Sequence, residues 1–241
     1  MKNHVNYIIN NSIKEAYDYI VKEIINPERS DHLRSELLKI YYQGTNDINT
    51  LKAILQSADS AIKWEIVELL FTANETSFLN EFLLKNLHGS ENPSEKLTIS
   101  NYLIKLQNIE GLKYYVEWIK NNMDKIDIQD RINFNQIFGI EAVPYLIDLL
   151  KIGYEKVRIN RFDDLTSMAA GALSNIALTN EHNLNEVKSK LSQFIVENER
   201  KYENIKYLRV QLNRMDEQFY MNKAKTFTID QVKNKLKLLE I

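Results

Sequence analysis

Between positions 139 and 177 the chain reads as two helices of different character, folded back on one another. The first, Gly139-Ile-Glu-Ala-Val-Pro-Tyr-Leu-Ile-Asp-Leu-Leu, places Pro144 in an opening turn, where its missing N–H removes no hydrogen bond. Leu146, Ile147, Leu149 and Leu150 then follow at helical spacing. The second, Met168-Ala-Ala-Gly-Ala-Leu-Ser-Asn-Ile-Ala, is small on nearly every side. Ala169, Ala170, Gly171 and Ala172 let two neighbours approach closely while Leu173 and Ile176 fill the seam, which is the pattern of a helix held between stacked repeats. The segment joining the two, Gly153 to Asp163, reads as a long loop carrying Lys156, Arg158 and Arg161.

The same period runs through the rest of the chain. A first helix is expected over 4–25, with Val5, Ile9, Ile13, Ala16, Ile20 and Ile24 on one stripe and a stop at Asn26-Pro27. A second starts at Ser30-Asp31, with a stripe of Leu33, Leu37 and Ile40 and a left-handed stop at Gly44. Further helices are expected over 47–56, 60–73, 76–87, 94–107, 109–121, 130–138, 141–152, 164–178, 183–199, 204–222 and 229–240, separated by brief polar turns. Helix 60–73 is apolar on two sides, with Ile62, Ile66, Leu69 and Leu70 on one and Trp64, Val67 and Phe71 on the other, as a helix buried between neighbours requires. In 204–222 the apolar residues Ile205, Leu208, Leu212, Met215 and Phe219 form a single stripe, and Thr228 with Gln231 reads as a capping box for a last helix carrying Ile229, Val232, Leu236 and Leu239.

The pair at 139–177 resembles the HEAT family of helical repeats, whose units commonly open Gly-x-x-Ala-x-Pro-x-Leu-x-x-Leu-Leu and carry an Ala-rich second helix. Gly139, Ala142, Pro144, Leu146 and Leu149 match that opening. The resemblance implies an all-α, right-handed α-solenoid of HEAT or armadillo type, used for contact with protein or, less often, nucleic acid. The expected organisation is one array over 1–241, with capping helices in 1–44 and 201–241 and repeats in 45–200.

Composition narrows the alternatives. With 44% hydrophobic residues the chain has ample core material, and only 6 Gly and 3 Pro leave too few breakers for a β-meander of many tight turns. Zero cysteines exclude disulfides, thiolate nucleophiles and sulfur-ligated zinc. No stretch approaches the ~20 apolar residues that a membrane span needs, so the expectation is a cytoplasmic chain without a membrane partner. A net charge of −2 argues against a surface built wholly for nucleic acid, although basic residues do gather after Leu150.

No catalytic or metal-binding pattern emerges. His4, His32, His88 and His182 lie far apart, and Asp124, Asp127 and Asp130, which recur every third residue, read as helix caps because the glycine and terminal glutamate of a calcium loop are absent. Neither a cofactor nor a metal is expected, and the chain is not expected to be an enzyme. Tyr114 and Trp118, an i, i+4 aromatic pair off the stripe Ile109, Leu112, Val116 and Ile119, either pack on the next repeat or anchor a partner. Together with Lys156, Arg158 and Arg161 they form the candidate protein-binding set. The function expected is a non-enzymatic scaffold or adaptor, either an accessory subunit of a larger bacterial assembly or an immunity-type inhibitor. The alternative is a nucleic-acid binder using the basic C-terminal half, similar to HEAT-like DNA glycosylases. For that reading Asp163 or Asp164 beside Arg161 is the nearest counterpart of the catalytic Asp, and without the family's motif the role is not carried over.

Overall fold

In a computed structural model of the protein, which describes residues 13–122, 139–155, 163–202 and 205–225, every regular element among the described residues is helical. Among the described residues there are eleven α-helices: α1 (Ile13–Ile25), α2 (Asp31–Thr45), α3 (Ile48–Leu55), α4 (Ser60–Thr72), α5 (Thr76–Gly89), α6 (Pro93–Lys105), α7 (Ile109–Asn121), α8 (Val143–Glu155), α9 (Asp163–Ala177), α10 (Glu181–Asn198) and α11 (Ile205–Lys225). A 3-10 turn, Ile140–Ala142, leads into α8 and leaves Pro144 in its opening turn as expected. The helices expected over 130–138 and 229–240 lie outside the described residues.

Short polar side chains start these helices. Ser30, Asp47, Asn92, Asn108 and Asn180 each accept a hydrogen bond from a backbone N–H of the following first turn, satisfying donors that have no partner inside the helix. Three of the stops use a left-handed residue other than glycine. Asn46, Asn74 and Gln107 take positive φ of 52°, 61° and 60°. Beyond two of them the chain closes back on the helix, Glu75 N–H donating to Leu70 O at 3.0 Å and Asn108 N–H to Leu103 O at 2.8 Å. Gly44, expected to be the stop of α2, instead lies inside that helix, and Asn46 is the left-handed residue. A Cβ at position 44 would fall 2.1 Å from the Tyr17 hydroxyl, so the glycine there serves the contact between α1 and α2.

The contacts divide the chain into two units, one ending at Phe82 and one beginning at Leu83. In the first, α1 packs on α2, α2 on α4, and α3 on α4. Ala16, Ile20 and Ile24 of α1 are buried as expected, but Ile13 is 76% exposed. The stripe of α2 is also rotated from its expected position. Ile40 is exposed and Arg34, only 3% exposed, lies inside with Leu37, Leu38 and Tyr41. The guanidinium can be buried because each face has an acceptor: Nε donates to Ile24 O at 2.8 Å, and a terminal nitrogen pairs with Asp59 at 2.8 Å and Asp31 at 3.5 Å. That pairing holds the Asp59 carboxyl below the usual range.

In the second unit, α6 pairs with α7, and α7, α8, α9, α10 and α11 each touch the next. Helices one apart also meet, α8 with α10 and α9 with α11. The core runs through all of these, from Leu97 to Phe219. Ala169, Ala170, Ala172, Leu173 and Ile176 of α9 are buried as the sequence predicts, whereas Gly171 is exposed and a Cβ there would meet nothing within 4 Å. The close approaches fall at other glycines. A Cβ on Gly153 would lie 2.3 Å from Thr166 Oγ1 and one on Gly111 2.8 Å from Ser100 O, a carbonyl on the facing helix. Ser100 Oγ returns a hydrogen bond to Gly111 O at 3.0 Å, fastening α6 to α7 at that point. Gly153, where the long loop was expected to begin, belongs to α8, which runs to Glu155, and 156–162 lie outside the described residues.

Candidate protein-interaction surfaces

The helix that carries the aromatic pair has the bounds predicted from sequence, 109–121. Leu112, Tyr115, Val116 and Ile119 are buried, and Tyr114 and Trp118 are half-buried off that stripe. Trp118 packs against the core, and its carbonyl accepts both the backbone N–H and the side-chain amide of Asn122 at 3.0 Å. The Tyr114 phenol is pushed up from its ordinary pKa by burial. Neither ring is fully covered, so the pair presents an apolar edge with a polar tip.

On the other flank of α7, charges are matched with α8. Lys120 Nζ donates to Asp148 at 2.9 Å and to Glu117 at 3.1 Å, and Lys113 lies 5.9 Å from the centre of the Tyr145 ring. The hydrogen bond to Asp148 is the main reason the Lys120 ammonium titrates above its ordinary value. Lys156, Arg158 and Arg161, the remaining members of the expected set, lie outside the described residues, so their relation to Tyr114 and Trp118 has no geometry here.

The end of α8, just before that segment, meets α10 and the turn that follows it in a cluster that sequence reasoning missed. At the end of α8 the Tyr154 ring stacks on Tyr202, with centroids 5.2 Å apart and planes at 17°, and lies 6.0 Å from Phe194. Glu155 accepts from Lys201 at 2.9 Å and from the Tyr202 hydroxyl at 3.3 Å. Lys201 is the largest cause holding the Glu155 carboxyl below its ordinary range, while burial pushes the Tyr154 phenol up to about 12. Residues 154–155 and 201–202 are brought together only by the fold, so no local spacing marks them.

Two further pairs join neighbouring segments: Lys188 with Asp216, and Arg209 with Glu199 at 2.8 Å. Several cations of the basic C-terminal half are thus already matched to carboxylates, and the charged surface there is mixed in sign. Among the described residues no group of three or more His, Asp or Glu side chains is placed to hold a metal ion. Asp124, Asp127 and Asp130 lie outside those residues. No described helix is long and apolar enough to cross a membrane. Comparison with known proteins finds no family model, curated protein or solved structure that matches this chain.

Proposed function

We propose that the chain is a non-enzymatic protein-binding scaffold or adaptor, built as an α-solenoid of HEAT or armadillo type. Stacking is supported by the second unit, where each helix from α7 onward touches the next, α8 meets α10 and α9 meets α11. An array whose helices contact both the next helix and the one beyond buries a continuous core through contacts between neighbouring helix pairs. The Ala-rich face of α9, buried on Ala169, Ala170 and Ala172, supports the same reading.

The observation that carries the binding class is the matching of charge between segments separated along the chain. Lys120–Asp148, Lys201–Glu155, Lys188–Asp216 and Arg209–Glu199 spend cations on carboxylates of this chain. A nucleic-acid groove needs unmatched cations in a continuous row, because its affinity comes from displacing counterions along phosphates. A mixed-sign face with half-covered aromatics such as Tyr114 and Trp118 suits a protein partner, with Lys156, Arg158 and Arg161 meeting an acidic patch on it. In this role the chain would serve a larger assembly as an accessory subunit or neutralise a toxin as an immunity-type inhibitor.

Capture of the tagged chain from its native cell, with and without nuclease, tests this. The reading expects a stoichiometric protein partner that survives nuclease, and expects R158E/R161E to slow its association with little change in melting temperature. Recovery of nucleic acid, with all protein lost on nuclease treatment, would replace the scaffold reading with the nucleic-acid one.

A further inference from the structure

The outward face of α11 exposes three large apolar residues in line with two charged ones. Ile205, Leu208, Leu212, Met215 and Phe219 are buried at spacings of three, four, three and four residues. Tyr207, Val210, Arg214, Glu217 and Met221 follow at the same spacings, each two positions after a core residue and so about 200° round the helix. All five are exposed, Tyr207 at 65%, Val210 at 48% and Met221 at 54%. A helix with one polar face needs no such second stripe. Val210 and Met221 flank Arg214 and Glu217 on this stripe, so a facing helix would find an apolar contact on each side of a charged centre that sets its orientation.

Charge order selects what covers it. Among the described residues neither Arg214 nor Glu217 is ion-paired, although Glu36–Lys39, Glu110–Lys113 and Glu117–Lys120 close at the same separation. In those pairs the acid precedes the base; in α11 the order is reversed, the less favourable one for closing on the same helix. Two copies of α11 laid antiparallel about a two-fold axis midway between Arg214 and Glu217 would set each Arg214 against the second copy's Glu217, and each Val210 against its Met221. A parallel, in-register pair would instead oppose Arg214 to Arg214 and Glu217 to Glu217. A self-complementary patch is what an isologous dimer requires. We infer that the outer face of α11 is a homodimer seam, formed by antiparallel pairing of Val210, Arg214, Glu217 and Met221 with Met221, Glu217, Arg214 and Val210 of a second copy.

One helix face is small for an interface, so the dimer should be weak, with Kd on the order of 10–100 µM. Sedimentation equilibrium of the full chain tests the proposal through a charge swap at two exposed positions. The parent should show a monomer–dimer equilibrium, R214E and E217R should each lose association roughly tenfold or more, and an equimolar mixture of the two should regain it as a heterodimer. R214E/E217R should self-associate like the parent, and circular dichroism should show all variants equally helical. A parent that stays monomeric throughout would overturn the proposal. So would single variants that dimerise unchanged. If the parent is monomeric and Val210→Glu or Met221→Glu lowers the melting temperature, the seam is covered by the chain's own residues beyond 225 and the dimer is refuted.

Discussion

A methyl group added at a glycine distinguishes the small residues that allow helices to touch from those that do not. At Gly111 a Cβ would stand 2.6 Å from Leu103 Cβ and 2.8 Å from Ser100 O, whereas at Gly171 it would meet nothing within 4 Å. Gly111→Ala should therefore lower stability by about 1–3 kcal/mol, since α6 and α7 must separate to admit it. Gly171→Ala should raise stability by about 0.5–1 kcal/mol, by restricting the unfolded chain at an open helical site. Urea denaturation of the two variants checks both signs. The alanines around Gly171 advertised a close contact and the contact exists, but local composition does not say which way one residue points. Tyr154 carries a pH signature. Its phenol is pushed up to about 12 by burial, so the folded chain keeps a proton that the unfolded chain, with a phenol near 10, releases earlier. Stability is then present in full below about pH 10 and lost as pH climbs from there toward 12, by up to about 3 kcal/mol. Tyr154→Phe should flatten that alkaline limb relative to the parent in pH-dependent melts, and identical limbs would show that the hydroxyl is not buried.

Element boundaries were legible because polar caps and the 3.6-residue period agree with one another along most of the chain. For α7 the predicted span, 109–121, is the observed one, and Asn108 supplies the cap by accepting from Glu110 N–H at 2.9 Å. Faces were less legible than spans. In α2 the apolar residues alone put Ile40 inward, but Arg34 takes the inward place because Ile24 O and Asp59 lie within reach of its guanidinium. Those acceptors lie outside α2, on α1 and at the cap of α4, so no window on α2 contains the information. The same limit applies to Tyr114 and Trp118, whose spacing marks a second apolar edge without saying how deeply it is covered. Trp118 packs against the core while half-buried, and Trp118→Ala should lower stability by about 2–4 kcal/mol, somewhat less than a fully enclosed tryptophan. Tyr114→Ala should cost about 1 kcal/mol or less and act chiefly on partner affinity. Thermal melts read the first difference directly, and a Trp118→Ala variant that melts like the parent would contradict the packing described for α7.

At the scale of the molecule, composition gave a net charge near zero but not where the charges meet. Lys120 reaches Asp148 and Lys201 reaches Glu155 across 28 and 46 residues of chain, distances over which no sequence motif operates. The helical class, by contrast, is written in composition and period together, and it is the part of the fold that needed least from tertiary contact. The proposal that these matched charges serve a protein-binding surface has a direct test in nucleic-acid binding. Fluorescence anisotropy with labelled duplex and single-stranded oligonucleotides, titrated with the full chain over a range of salt, should show no saturable binding tighter than about 100 µM at ~0.15 M salt. Saturable binding at micromolar concentration or below, with an affinity that falls steeply as salt rises, would contradict the account and assign the basic C-terminal half to nucleic acid instead.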